Sequence, residues 1–173
     1  MHSPSSSAAS LCPNRSRPLP RSLLTTEVPE AAEKLSAYNV PMTTSPISVA
    51  QAFVRAINRH DTDELASLMT EEHTFTDSLG NTVQGRAKMQ AGWAAYFLMV
   101  PDYSIAIEET YTGGPAVVMI GEAEGTYSPD GKLTPENKWK TPAAFRALIE
   151  NGQVAEWRVY ADNEPIRESM RKK

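Results

Sequence analysis

Apolar residues recur at three- and four-residue intervals from Val49 onward. Val49, Phe53, Ala56 and Ile57 make one stripe, the spacing of a helix that buries a single face. Ser45-Pro46 opens this helix, with serine as the cap and proline at the first helical position. Asn58-Arg59-His60 ends it, His60 serving in the C-terminal cap. Asp61 caps a second helix, with Glu64 three residues on as in a capping box, and Leu65, Leu68 and Met69 face inward. The period then changes to two. His73, Phe75 and Asp77 alternate with Thr74 and Thr76 in a short strand, and Ser78-Leu79-Gly80-Asn81 turns the chain. Gly85 precedes a third helix whose apolar face is Met89, Trp93, Tyr96, Phe97 and Val100, stopped by Pro101.

From Tyr103 the chain reads as strands joined by turns. Tyr103–Thr112 ends at Gly113-Gly114, Ala116–Tyr127 at Pro129-Asp130-Gly131, Asn137–Ile149 at the hairpin turn Glu150-Asn151-Gly152, and Val154–Ala161 is last. The order ααβαββββ predicts an α+β fold, a curved and mainly antiparallel sheet packed on three helices. Its bounds are residues 45–165. Residues 166–173, with the basic run Arg171-Lys172-Lys173, are expected to fray.

Residues 1–44 carry no such pattern. They are rich in Ser and Pro and bury too little apolar surface to offset an ordering cost of roughly 1–2 kcal/mol per residue, which predicts a disordered extension. Arg15, Arg17 and Arg21 precede the first acid, Glu27, as in a transit peptide, yet no apolar h-region follows. Met42, directly before the first capped helix, offers an alternative start.

Composition narrows the partners. The chain has 173 residues, 40% hydrophobic and 22% charged, enough for one domain with a sizeable core. A net charge of −4 and no basic patch with interleaved aromatics argue against nucleic acid. The longest apolar run, WAAYFLMV, is too short to cross a bilayer, so no membrane partner is expected and the chain reads as cytoplasmic. Cys12 is the one cysteine, which rules out an internal disulfide, and no Cys/His cluster suggests a metal.

The stretches FVRAINRHDTDELASLM, TFTDSLG and FRALIENGQVAEWRVYAD resemble the opening helices, base-bearing strand and closing hairpin of the SnoaL-like and ketosteroid-isomerase-like branch of the nuclear transport factor 2 superfamily. The resemblance implies a cone enclosing one apolar pocket. It implies a cofactor-free isomerase or cyclase acting on a small hydrophobic carbonyl compound through a carboxylate base, usually as a homodimer through the outer sheet face. The alternative is a module of the same fold that binds a small hydrophobic molecule, or only dimerises, without catalysis.

On that alignment Asp77 takes the place of the isomerase's base. Phe53 stands where the oxyanion-hole tyrosine would be, and Ala143 or Ala144 where its protonated acid would be. Losing one such donor commonly costs about 3–4 kcal/mol of transition-state stabilisation, which disfavours steroid isomerisation by the usual route. Asp162, late in the chain as in the SnoaL-type cyclases, is a second candidate base. His73, on the face of Asp77, is a candidate proton carrier. Each has a plainer role available: a turn cap for Asp77, an Asx turn with Asn163 for Asp162, packing for His73. Phe53, Trp93, Phe97, Trp139, Phe145 and Trp157 are the candidate pocket wall, and Gly92 inside the third helix suggests close packing or room for a ligand.

Overall fold

Two side-chain caps set where the first helices begin. In the computed structural model, which describes residues 44–171, the Ser45 hydroxyl accepts from the Ser48 amide at 3.2 Å and α1 runs Pro46–Asn58. Asp61 accepts from the Glu64 amide at 2.9 Å and α2 runs Thr62–Leu68. The capping box is half made, because the Glu64 carboxylate pairs with Arg59 instead of returning to the cap. His60 ends α1 in a left-handed conformation, φ 56°. Its Nε2 donates to the Tyr103 carbonyl at 2.9 Å and its ring stacks on Phe97 at 4.2 Å. Asn58 pairs with both backbone groups of Ile105, each at 2.8 Å, tying α1 to the sheet.

The strands are β1 (Met69–Thr76), β2 (Thr82–Gln84), β3 (Ser104–Gly113), β4 (Ala116–Thr126), β5 (Lys138–Glu150) and β6 (Gln153–Ala161), with α3 (Arg86–Met99) between β2 and β3 and α4 (Glu164–Arg171) at the end. They form one curved sheet in the order β2-β1-β6-β5-β4-β3. Only the β1–β6 pair is parallel. The α+β fold with a mainly antiparallel sheet is therefore as the patterns predict, with four helices among the described residues in place of three.

β5 explains why the sheet has a dry face. Trp139, Thr141, Ala143, Phe145, Ala147 and Ile149 are buried, and the residues between them are not, the period of two that points alternate side chains to one side. Asn151 and Gly152, both at positive φ, make the tight turn into β6. Phe145 then pairs with Val159 and Ala147 with Trp157, so the Phe145 and Trp157 rings stack at 5.6 Å on the inner face. Phe53 of α1 meets Trp157 at 4.9 Å. Burying Phe53 and Phe145 completely, as here, contributes about 1.5–3 kcal/mol each. On the outer face, Lys140–Glu122 and Arg146–Glu156 are cross-strand ion pairs.

A break in register between Ile107 and Glu109 of β3 lies opposite Gly121. A Cβ at Gly121 would stand 1.9 Å from the Ala106 carbonyl oxygen, so glycine is what lets β4 approach the irregular strand.

Three elements depart from the sequence-based expectation. β1 begins at Met69, which pairs with Val154 rather than extending α2. β2 is three exposed residues, too short to alternate visibly. The segment from residue 166, expected to fray, is helical through Arg171. The Asp162 carboxylate accepts from the Glu164 amide at 2.9 Å, Ser169 is buried, and Ile166 packs against the core. Its cap and one apolar anchor outweigh its charged composition. The disordered extension, the alternative start at Met42, Cys12 and Lys172-Lys173 lie outside the described residues. No helix among the described residues is long and apolar enough to cross a membrane.

Candidate functional site

Toward the α3 end, the inner face of the sheet is not filled. A cavity of about 380 Å³ lies between α3 and the sheet, within the usual range for small-molecule sites. Met89, Gly92, Trp93 and Tyr96 of α3 form one wall. Phe75, Trp139, Thr141, Val159 and Ala161 from three strands form the opposite one, with Tyr103 and Ala123 beside them. α4, absent from the sequence reading, contributes Ile166. Asp77, Ser78, Lys88 and Asn163 add polar groups to the lining. Gly92 is explained as room and not as close packing: a Cβ there would meet only Met89 Cε, at 3.6 Å.

Asp77 is in this wall, where the β1–β2 turn puts it. Its carboxylate is also the organiser of that turn. Oδ1 accepts from the amides of Leu79 at 2.9 Å and Asn81 at 2.8 Å, and Oδ2 accepts from the Asn81 side chain at 2.8 Å. Burial pushes the Asp77 carboxyl upward, but the bonds from the Asn81 side chain and the turn amides outweigh it and hold the group below its ordinary value. The rise that would have made a stronger base is not found. A carboxylate bound by several donors is ionised and weakly basic, so the turn-capping role is realised at the same place as the candidate catalytic one.

His73 shares the β1 side of Phe75 but lies deeper. It is completely buried, 6.0 Å from the Phe53 ring, and its Nδ1 donates to the Val154 carbonyl at 2.8 Å. Burial holds the imidazole below its ordinary value, the Val154 bond opposing this in part. Its Nε2 has no hydrogen-bond partner among the described residues, and it does not line the cavity. Asp162 is exposed and caps α4, while its carbonyl accepts from the Thr141 hydroxyl at 3.1 Å. The three candidate catalytic residues are thus not brought together, and Asp77 alone reaches the cavity.

The aromatic candidates divide. Trp93 and Trp139 line the cavity; Phe53, Phe97, Phe145 and Trp157 do not, and are packed in the core beneath it. The reason is local packing: Phe53 of α1 covers Trp157 and Phe145 stacks on it, while Phe97 is enclosed between Trp93 and His60. Sequence periodicity reports which face is buried and not what covers it. Phe75 and Tyr103 were missed, whereas Tyr96 was already read on the apolar face of α3. Tyr96 and Tyr103 meet edge to face with ring centroids 5.1 Å apart. Burial pushes both hydroxyls above the ordinary phenol range, and Tyr96 beside it adds to the rise at Tyr103. The available signal for Tyr103 was tyrosine, rather than phenylalanine, at a buried position: a phenol there needs a partner. Among the described residues no group of three or more His, Cys, Asp or Glu is arranged to hold a metal ion.

Comparison with known proteins agrees with this geometry. The SnoaL-like domain family matches residues 50–157. No curated protein matches the chain. Among solved structures, a protein from Shewanella denitrificans assigned as a SnoaL-like polyketide cyclase is 18% identical, with 74% of this chain and 98% of that one covered and a TM-score of 0.65. A Catenulispora acidiphila protein with a ketosteroid isomerase-like fold, in complex with trimethylamine, is 18% identical over 70% of this chain and 92% of that one, TM-score 0.62. An epoxide hydrolase of the LEH-like type from M. tuberculosis is 16% identical over 75% and 91%, TM-score 0.62. At these identities the likeness establishes the shared fold.

Proposed function

Starting from the chain's membership of the SnoaL-like domain family, we propose that it binds a small, largely apolar molecule in the cavity between α3 and the sheet, without using a committed acid–base residue. The observation that carries this is the state of Asp77. It is the one acidic residue in the cavity wall, and its oxygens are engaged by Asn81 and the turn amides. General-base catalysis at neutral pH is most efficient when the pKa lies near the working pH, and this group is held below the ordinary carboxylate value. The size of the cavity and its aromatic walls supply the apolar contact that such binding needs.

A second reading keeps one specific support, the presence of a carboxylate in the wall of an apolar cavity. In it, Asp77 removes a proton α to the carbonyl of the bound molecule, as in a cofactor-free isomerase or cyclase. One experiment separates the two. Naphthyl methyl ketone is incubated with the protein in deuterated buffer, binding is followed by tryptophan fluorescence, and deuterium in its methyl group is followed by mass spectrometry. Binding with no exchange above the buffer rate is the expected result. Accelerated exchange that Asp77→Asn abolishes would establish the proton-transfer reading instead.

We place a second copy of the chain on the outer sheet face. Ile120 and Tyr160 are exposed there, and the Lys140–Glu122 and Arg146–Glu156 charges beside them are already paired within the sheet, leaving apolar surface to cover. Sedimentation equilibrium should show a dimer that Ile120→Asp converts to monomer; a monomeric wild type would contradict this.

A further inference from the structure

A phenol set in an apolar wall needs a hydrogen-bond partner, and two in this cavity have no protein partner among the described residues. Tyr103 is 7% exposed and Tyr96 half-buried, and both line the cavity. Neither hydroxyl is hydrogen-bonded to another described residue. The indole nitrogens of Trp93 and Trp139 are also unpartnered, but they are sealed into their walls; the two phenol oxygens are not sealed and remain reachable. The positions where the family resemblance places oxyanion donors hold Phe53 and Ala143 or Ala144, so those of Tyr96 and Tyr103 come from elsewhere, from α3 and the entry to β3.

We propose that Tyr96 and Tyr103 together grip the oxygen of a neutral ketone, both hydroxyls donating to it, while Trp93, Trp139 and Phe75 hold its flat apolar body. The proposal deepens the ligand-binding reading above and rests on it. Several ligand classes fit less well. Both phenols stay protonated at physiological pH, since burial raises both, so each is a donor, and their rings meet edge to face in the wall of the same cavity. A carbonyl oxygen has two lone pairs and no proton of its own to satisfy. An alcohol oxygen can accept as well but must also place its own proton, so two donors match it less closely than they match a carbonyl oxygen. An anion would need a buried cation, and the only lysine in the lining, Lys88, is exposed.

The test compares two ligands of the same shape. Naphthyl methyl ketone and isopropenylnaphthalene differ only in exchanging the carbonyl oxygen for a methylene. Each is titrated into the full chain with tryptophan fluorescence as readout, and the carbonyl stretch of the bound ketone is recorded by infrared spectroscopy. The ketone is the less hydrophobic of the pair, yet it should bind about tenfold more tightly, the size expected for net hydrogen bonds of this kind. Its stretch should move to lower frequency on binding. Tyr103→Phe should abolish both the preference and the shift while leaving the hydrocarbon's affinity unchanged, and Tyr96→Phe should weaken both. If Tyr103→Phe does not fold, Tyr96→Phe and the wild-type infrared shift decide the matter. Equal affinities with no shift would overturn the grip and leave the cavity-binding reading standing. Absence of binding by either ligand would overturn both.

Discussion

Gly92 offers a perturbation in which stability and ligand binding should move in opposite directions. It lies in the interior of α3, where glycine costs about 0.8–1.0 kcal/mol relative to alanine, and it is exposed on the cavity side. A Cβ there meets a single atom, Met89 Cε at 3.6 Å, which is ordinary contact. Gly92→Ala should therefore recover nearly the full propensity difference and raise Tm by about 3–6 °C, interpolating between small and medium domains. Gly92→Leu keeps most of that gain, because leucine is also a strong helix former, but projects three further carbons into the cavity. Circular dichroism gives Tm, and fluorescence titration with naphthyl methyl ketone gives affinity. Gly92→Ala should be more stable with modestly weaker binding, and Gly92→Leu at least as stable as wild type with binding lost. A fall in Tm for Gly92→Ala would mean that α3 packs against something at this position, and the account of the cavity wall would be wrong.

Three further outcomes follow from the same geometry. Asp77 has a folded-state pKa below its ordinary value of 3.8, so its stabilisation is present above that pH and is lost as pH falls through the folded value. Asp77→Asn should then cost about 1 kcal/mol at neutral pH, the difference closing below about pH 4 in urea unfolding curves; a pH-independent difference would mean that the charge is not what matters. For His73 the folded value lies below the ordinary 6.5, so stability is complete above that pH and declines with acid below it; His73→Gln should flatten that decline, and an unchanged slope would locate it elsewhere. Gly121→Ala places a methyl against the Ala106 carbonyl, with only backbone there to yield; it should lose more than about 3 kcal/mol or fail to fold, whereas an ordinary chemical unfolding midpoint would show that the β3 irregularity relaxes easily.

Most of the fold was legible from periodicity and punctuation. Ser45-Pro46, Asp61, Gly85 and Pro101 mark real boundaries, and the β5 alternation gave the register that stacks Phe145 on Trp157. β2 and α4 were not legible, because one is too short to show a period and the other is held by a cap and the docking of Ile166. The site was harder to read. Trp93 and Trp139 were found through their strand and helix faces, but the same faces also pointed to Phe53 and Trp157, which pack on each other as core. Asp77 was found by position and its turn-capping role was legible in the turn residues, but that the Asn81 side chain and the turn amides outweigh burial depends on geometry that no sequence pattern reports. Tyr103 was read as a strand beginning, and only the structure shows its ring against Tyr96 in the cavity wall.

The cavity assignment is tested most directly by the indole N–H resonances. The chain has 3 tryptophans, of which Trp93 and Trp139 line the cavity and Trp157 is fully buried in the core beneath it. A two-dimensional proton–nitrogen spectrum of labelled protein, assigned by replacing each tryptophan with phenylalanine, is recorded while naphthyl methyl ketone is added. The account predicts that the Trp93 and Trp139 resonances shift saturably and together, with the Trp157 resonance moving far less. A dominant shift at Trp157, or no saturable shift at any of the three, would contradict it.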